Sequence, residues 1–308
     1  MLNLLITGGG GAGSESIYKQ LNTKYNFYFA DCAIENISHD IPKEKKILIP
    51  KAKQVEFKRK LIEICEKYKI DLVVPTVDEE LMLWKEISKE LPANILLPDS
   101  KFVERNLDKL KSSIFLLNNS IDAPETYSLI QCRPPDKYIM KPRFGRGSRG
   151  IQMVSTDEEI SAHLLLSKLT RDEFVIQEFI EGTEYTVTVA SDKNGNLKAV
   201  VPLEIELKKG ITVRAKTVAD ADIIKYCSNI QAIEKTPGVF NVQLIKSNDG
   251  RIVAFEINPR TSTTLCVAIA SGIDVFEIFM YSSLYPKDKL LSYKENLSLI
   301  RNYINIIR

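Results

Sequence analysis

Histidine is almost absent from this chain: His39 and His163 are the two in 308 residues. Both stand in polar, loop-like or helix-surface contexts, which predict solvated side chains and make a histidine triad or a histidine-rich metal site unexpected. The five cysteines, Cys32, Cys65, Cys132, Cys227 and Cys266, are odd in number and include no C-x-x-C pair. They offer neither a disulfide framework nor a zinc site, so each is expected to be a small core residue in a reducing cytoplasm. No run approaches the roughly 20 apolar residues of a membrane span. The start lacks the basic and apolar regions of a secretory signal. Charge of one sign is also lacking: 42 basic and 40 acidic residues leave +2. Neither a nucleic-acid nor a membrane partner is expected on that balance. The chemistry must therefore rest on lysine, arginine, carboxylates and backbone amides.

What is present begins with MLNLLITGGGGAGSES, four glycines directly after a short apolar run. Gly8, Gly10 and Gly13 satisfy G-x-G-x-x-G, with Asp31 at the end of the next apolar run, so a dinucleotide site is one expectation. The letters fail the G-x-x-x-x-G-K-[ST] pattern, because Ser14 and Glu15 stand where Lys and Ser/Thr belong. Strand patterns at 2–6, 26–30, 46–49, 71–76 and 95–97 alternate with helical patterns at 13–21, 54–68 and 78–91. That alternation predicts a parallel sheet covered on both faces. After Pro98 the pattern changes: a helix at 107–118, a Pro-rich loop, then strands and hairpins. Thr156 and Glu159 form a capping box, and DKNGN and SNDGR are hairpin turns.

Three segments can carry chemistry. YIMKPRFGRGSRG delivers Lys141 from a strand into a loop of glycines and arginines, which suits a polyphosphate or reads as a solvated basic hairpin. IQEFIEGTEYTV is a Glu-rich interstrand turn, either a solvated hinge or a segment whose backbone reads a base edge. In FNVQLIK and IVAFEINPR, Gln243 and Glu256 can sit side by side in a hairpin, with Asn258 on the same face as Glu256. Those oxygens suit a hard cation such as Mg²⁺ shared with phosphates, and a plain edge hairpin with polar residues toward water fits equally.

Together and in this order the segments resemble the ATP-grasp superfamily, nearest its carbamoyl-phosphate-synthase-like and biotin-carboxylase-like branches. DLVVPTVDEEL also resembles the end of that family's N-terminal domain. The resemblance implies an α/β parallel-sheet N-terminal (Rossmann-like, pre-ATP-grasp) domain followed by an α+β ATP-grasp domain with antiparallel sheets. The expected divisions are residues 1–98, then a linker helix and lid at 99–182, then a C-terminal subdomain at 183–308.

By the same resemblance ATP is held by Lys109, Lys141, Arg146, Gly147, Ser148, Glu178, Phe179, Ile180 and Glu184. Gln243, Glu256 and Asn258 are implied to hold Mg²⁺ or Mn²⁺, with Arg260 and Lys141 in catalytic roles. Gly10, Gly11 and Ala12 fall on the substrate side of the cleft. The glutamine at 243 matches the synthase branch, whereas Leu203, Glu204 and Glu206 stand where relatives often carry an arginine. The implied activity is a cytoplasmic ligase that joins a small-molecule carboxylate, amino-acid-like, to an amine. A homodimer is compatible with it. One nucleotide site and no second half make complete carbamoyl-phosphate synthesis unexpected. The rival readings are an NAD-dependent oxidoreductase using the opening loop and a non-catalytic nucleotide-binding module.

Overall fold

The computed structural model describes residues 1–129, 138–145, 147, 149–287 and 289–302. Short strands form a parallel sheet of β1 (Asn3–Thr7), β2 (Asn26–Asp31), β3 (Lys46–Leu48), β4 (Leu72–Val74) and β5 (Asn94–Ile95), in the order β3-β2-β1-β4-β5, with the central β1 and β4 buried on both faces. Burial on both sides explains their continuous apolar character. Helix α1 (Ser14–Leu21) follows the glycine run, and α2 (Glu56–Lys67) turns Phe57, Leu61, Ile64 and Cys65 into the core.

The helix expected at 78–91 is instead two short ones, α3 (Asp78–Leu81) and α4 (Trp84–Ile87). Glu80 turns inward with Leu81, and Trp84 and Ile87 reach the core from the second helix. The helix expected at 107–118 is present as α6 (Lys109–Asn118), and a separate helix not expected from the sequence, α5 (Ser100–Asn106), precedes it. Asp99 caps the first through Phe102 N at 3.0 Å, and Asp108 caps the second through Leu110 N at 3.1 Å and Lys111 N at 3.3 Å. An aspartate aimed at free amides starts a new helix more readily than it continues an old one.

A second sheet, antiparallel, has the order β6-β9-β7-β8, from β6 (Thr126–Ser128), β7 (Tyr138–Pro142), β8 (Gln152–Val154) and β9 (Phe174–Glu178). Helix α7 (Asp157–Ser167) carries the expected capping box, and the small core here includes Met140, Val154, Ile160, Phe174 and Ile176. His163 lies against the Phe174 ring and bonds the Gly150 carbonyl, so it is less solvated than its sequence context predicts.

The third sheet is antiparallel, in the order β14-β13-β10-β11-β12-β15. Its strands are β10 (Gly182–Ser191), β11 (Leu197–Lys209), β12 (Ile211–Thr217), β13 (Gly238–Ser247), β14 (Ile252–Asn258) and β15 (Ser298–Ile300). Helix α8 (Ala221–Glu234) covers one face. Helices α9 (Leu265–Ala270) and α10 (Val275–Met280) share a single core with the first sheet and the other face. Phe27, Phe29 and Phe276 are buried at that junction, with Tyr25 and Phe276 ring centroids 5.8 Å apart edge to face. Each such ring contributes about 1.5–3 kcal/mol by its burial.

Just past β15, Arg301 ties three elements together. Its Nε donates to the Thr212 carbonyl at 2.9 Å, one Nη to the Thr263 carbonyl at 2.6 Å, and the other Nη to the carbonyl of Ala12. Cys65, Cys227 and Cys266 are buried as expected, whereas Cys32 is exposed, because it follows the last residue of β2 at the open end of the sheet. Cys132 lies outside the described residues. Among the described residues no helix is long and apolar enough to cross a membrane.

Candidate active site

Strand β7 carries Lys141 into the space between the second and third sheets, where it is 2% exposed. Its Nζ donates to Gln177 Oε1 at 2.7 Å and to the Phe255 carbonyl at 3.0 Å. Gln177 is fixed in turn by donating to Thr126 Oγ1 at 2.8 Å. Burial pulls the Lys141 ammonium down to about 7, against the negative charge of Glu256 and with help from Lys109 and Lys208. The Phe255 carbonyl is available for a local reason. Gln243 faces Glu256 and Leu244 faces Ala254, so Phe255 is the extra residue of a β-bulge and its carbonyl is freed for a side chain.

The β13–β14 hairpin sets Gln243 directly opposite Glu256, and Asn241 opposite Asn258. Asn241 Oδ1 accepts from Thr186 Oγ1 at 2.8 Å, while its Nδ2 is buried with no hydrogen-bond partner. Two further lysines converge on this hairpin. Lys109 Nζ lies 3.7 Å from Glu256 Oε1 and donates to the Gly145 carbonyl at 2.7 Å. Lys208 Nζ donates to Glu184 Oε1 at 2.5 Å and to Gln243 Oε1 at 3.1 Å. Three lysines around two carboxylates, Glu256 and Glu184, make a site suited to a polyanion. Among the described residues no three His, Cys, Asp or Glu side chains gather as a metal site. A cation here would therefore be held by one carboxylate, two amides and the oxygens of a ligand.

A cavity of about 740 Å³ runs from this hairpin to the open end of the first sheet, lined by Glu256, Asn258 and Arg260 at one end and by Gly10, Asp31 and Lys51 at the other. A smaller one of about 210 Å³ reaches Glu256 and Asn258 from the side of Lys109, Gly145 and Asp78. The glycine run thus shares a cavity with the hairpin. Its amides are largely engaged: Gly10 N donates to Asp31 Oδ2 at 2.9 Å, Gly9 N to the Ala30 carbonyl at 2.9 Å, and Gly11 N to the Gly8 carbonyl at 2.9 Å. Asp31 serves this loop, with its other oxygen accepting from Ala33 N at 3.0 Å. Ala12 contributes its carbonyl to Arg301.

Gly147 and Arg149 line the larger cavity, while Arg146 and Ser148 lie outside the described residues. Glu178 ends β9, and Phe179 and Ile180 connect it to β10. The Glu178 carboxylate accepts from Glu125 N at 3.2 Å. Arg260 is bonded through Nε to Asp78, a contact between the third sheet and the turn after β4.

A model of the ATP-grasp domain matches residues 107–264, just over half the chain, and a model of the PylC-like N-terminal domain matches residues 5–95. The chain belongs to the ATP-grasp family. The carbamoyl phosphate synthase large chain of Bifidobacterium animalis subsp. lactis is 29% identical over 156 residues, covering 46% of this chain and 14% of that one. The chain thus spans a small part of such relatives; for the Streptomyces coelicolor large chain the share is 20%. Among solved structures, the biotin carboxylase of Campylobacter jejuni in complex with β,γ-ATP has a TM-score of 0.70 at 14% identity, covering 97% of this chain and 74% of that one. The L-amino acid ligase of Bacillus licheniformis has a TM-score of 0.65 at 15% identity, covering 93% and 75%. These two likenesses are of fold.

The ATP-grasp match contains Lys109, Lys141, Gln243, Glu256, Asn258 and Arg260, whereas the glycine run and the Asp78–Glu80 turn fall in the N-terminal match. Sequence reasoning missed Lys208, Asp78 and Glu80 as members of the site. Glu80 is 2% exposed and accepts from Thr7 Oγ1 at 2.5 Å, Thr76 N at 3.1 Å and Val77 N at 3.1 Å. Burial pushes its carboxyl up to about 7 despite those donors. The three acids of VDEE directly after a buried strand were the available signal; Lys208 had none beyond its place in a basic hairpin tip.

Proposed function

We propose that the protein is an ATP- and Mg²⁺-dependent ligase that activates an amino-acid-like carboxylate as an acyl phosphate for attack by an amine, releasing ADP and phosphate. The observation that carries this reading is the gathering of Lys109, Lys141 and Lys208 on the hairpin of Gln243, Glu256 and Asn258, at the meeting of the two cavities. Bound ATP and Mg²⁺ would supply the phosphoryl group and neutralise its charge during transfer, which needs positioning and positive charge more than a covalent nucleophile. Gln243, Glu256 and Asn258 fit such an ion: all three offer hard oxygen donors, and Gln243 Oε1 already accepts a cationic Lys208.

Lys141 and Lys109 would hold phosphate oxygens, Arg260 the transferring group. The backbone of Phe179 and Ile180 would meet the base, with Glu178 beside them, and Glu184 would accept from ribose hydroxyls. Gly147, with Arg146 and Ser148, belongs to the loop over the phosphates. The far end of the larger cavity, by Gly10, Gly11 and Ala12, would take the substrate. The fold likeness to an L-amino acid ligase supports an amino-acid-like carboxylate. The division at 1–98, 99–182 and 183–308 is supported by sheets whose described strands fall at 3–95, 126–178 and 182–300.

The test is a screen for ADP release over amino acids, hydroxy acids and bicarbonate with paired amines, read by product mass. Glu256→Ala is expected to lower turnover by about 10³-fold. Wild-type turnover in that variant would remove the metal-ligand assignment. A thermal shift with NADH and none with MgATP would overturn the ligase reading altogether.

A further inference from the structure

The turn after β4 places two carboxylates in different surroundings. Asp78 accepts from Arg260 Nε, and the two side chains are only 15% and 11% exposed. Arg260 is held elsewhere too: one Nη donates to the Thr261 carbonyl at 3.0 Å, and its backbone N donates to the Asn258 carbonyl at 2.8 Å. Glu80, two residues on, anchors the turn itself to the end of β1 through Thr7. Arg260 lines the larger cavity and Asp78 the smaller, while Glu256 and Asn258 line both. The ion pair therefore stands at the seam between the two cavities, beside the hairpin that carries the candidate metal ligands.

An arginine at such a place has a long side chain with many rotamers. With Nε on the carboxylate and one Nη on the Thr261 carbonyl, the other Nη can point at a ligand and most of the alternatives are removed. We propose that Asp78 is a positioning residue that fixes the plane of the Arg260 guanidinium toward the Glu256–Asn258 face, so that the first sheet completes the phosphoryl-transfer site of the third. The catalytic part of this rests on the ligase reading above. Its effect on nucleotide binding does not require that any carboxylate or amine be known.

Asp78→Asn keeps the shape and removes the charge. A guanidinium aimed at the terminal phosphoryl group predicts that the wild-type protein binds MgATP about 10-fold more tightly than MgADP. Calorimetry on the Asn variant should find that preference reduced to less than about 3-fold. Where a turnover assay is in hand, kcat should fall roughly 10–100-fold with KM for ATP little changed, as expected for lost orientation. Adding Asp78→Asn to Arg260→Ala should change neither quantity further, because the two residues act as one unit. Asp78→Ala gives the same readouts if the Asn variant fails to fold.

An unchanged ATP-over-ADP preference in these variants overturns the proposal, as do additive effects of Asp78→Asn and Arg260→Ala. A wild-type protein that binds MgATP but releases no ADP across the whole substrate panel sinks the ligase reading instead, and the nucleotide preference then decides the role of Asp78.

Discussion

The two glycine-rich loops look alike as letters and differ in physics. In the first, a Cβ added at Gly8 would lie 2.4 Å from Val77 Cγ2, one at Gly10 2.6 Å from Asn36 Cβ, and one at Gly13 2.6 Å from the Thr263 carbonyl oxygen. In the second, Gly145 and Gly147 face open space, and Gly147 has φ +71°. The first loop is glycine chiefly for want of room, since strand, helix and the segment after β14 press on it from several sides, with Gly8 also held at φ +62°. The second is glycine for backbone conformation: Gly145, Gly147 and Gly150 all have positive φ, and of these Gly150 alone has a near neighbour, Pro142 Cγ at 3.0 Å from an added Cβ. A composition count cannot separate these cases. Only the neighbours can, and here they divide a crowded wall from glycines that face open space.

Four measurements would break or sharpen that contrast. The largest effect is expected for Gly13→Val, whose backbone has an ordinary negative φ, so that only space is at issue. Denaturant unfolding should show a loss of about 3 kcal/mol or more from overpacking, and a loss below about 1 kcal/mol would contradict the wall.

Next is Glu80, which braces the first loop through Thr7, Thr76 and Val77. Its carboxyl moves from an ordinary 4.5 to about 7 in the folded protein. The folded state therefore holds the proton more tightly, and stability is highest below 4.5 and falls as pH rises to about 7. The fall is on the order of 3 kcal/mol. In Glu80→Gln that pH-dependent component should vanish from unfolding curves, and an unaltered slope between those limits would rule it out.

Smaller still is Gly147→Ala. The positive φ costs the variant about 1–2 kcal/mol, while KM for ATP should rise several-fold if this loop covers the phosphates as proposed. A large drop in melting temperature with unchanged KM would reverse the assignment of the two loops.

The smallest signal concerns Lys141, which leads into the second loop. With its ammonium pulled down to about 7, the lysine is mainly neutral at pH 8. A polyphosphate should restore the charge, so binding takes up close to one proton, about 1 per site. Calorimetry in two buffers of different ionisation enthalpy at pH 8 measures it, and no buffer dependence would remove Lys141 from the phosphate site.

Much of the frame was legible from local pattern. The SNDGR turn and the alternation on either side of it were enough to bring Gln243 and Glu256 close together in one hairpin, although the turn's register alone would set Gln243 opposite Phe255 and the bulge moves it to Glu256. The parallel sheet followed from buried runs spaced by helices. What local pattern could not supply was contact across distance. Asp78 and Arg260 are 182 residues apart, and Lys208 reaches Glu184 and Gln243 on two different strands. Helix boundaries failed where one aspartate became a cap or one glutamate turned inward, as at Asp108 and Glu80. The bulge at Phe255, which hands its carbonyl to Lys141, leaves no trace in hydrophobic periodicity.

Arg301 gives the architecture a temporal side. Its guanidinium holds Ala12, a residue 289 positions earlier in the chain, together with Thr263 and Thr212. As a ribosome delivers the chain, the strands of the first sheet emerge well before β15. The rim of the glycine run nevertheless acquires its last partner only when β15 docks beside β12. Loop closure over so long a separation is slow and comes late. Nascent protein would therefore pass through a stage with folded sheets in which Ala12, Thr212 and Thr263 still lack the guanidinium that joins them.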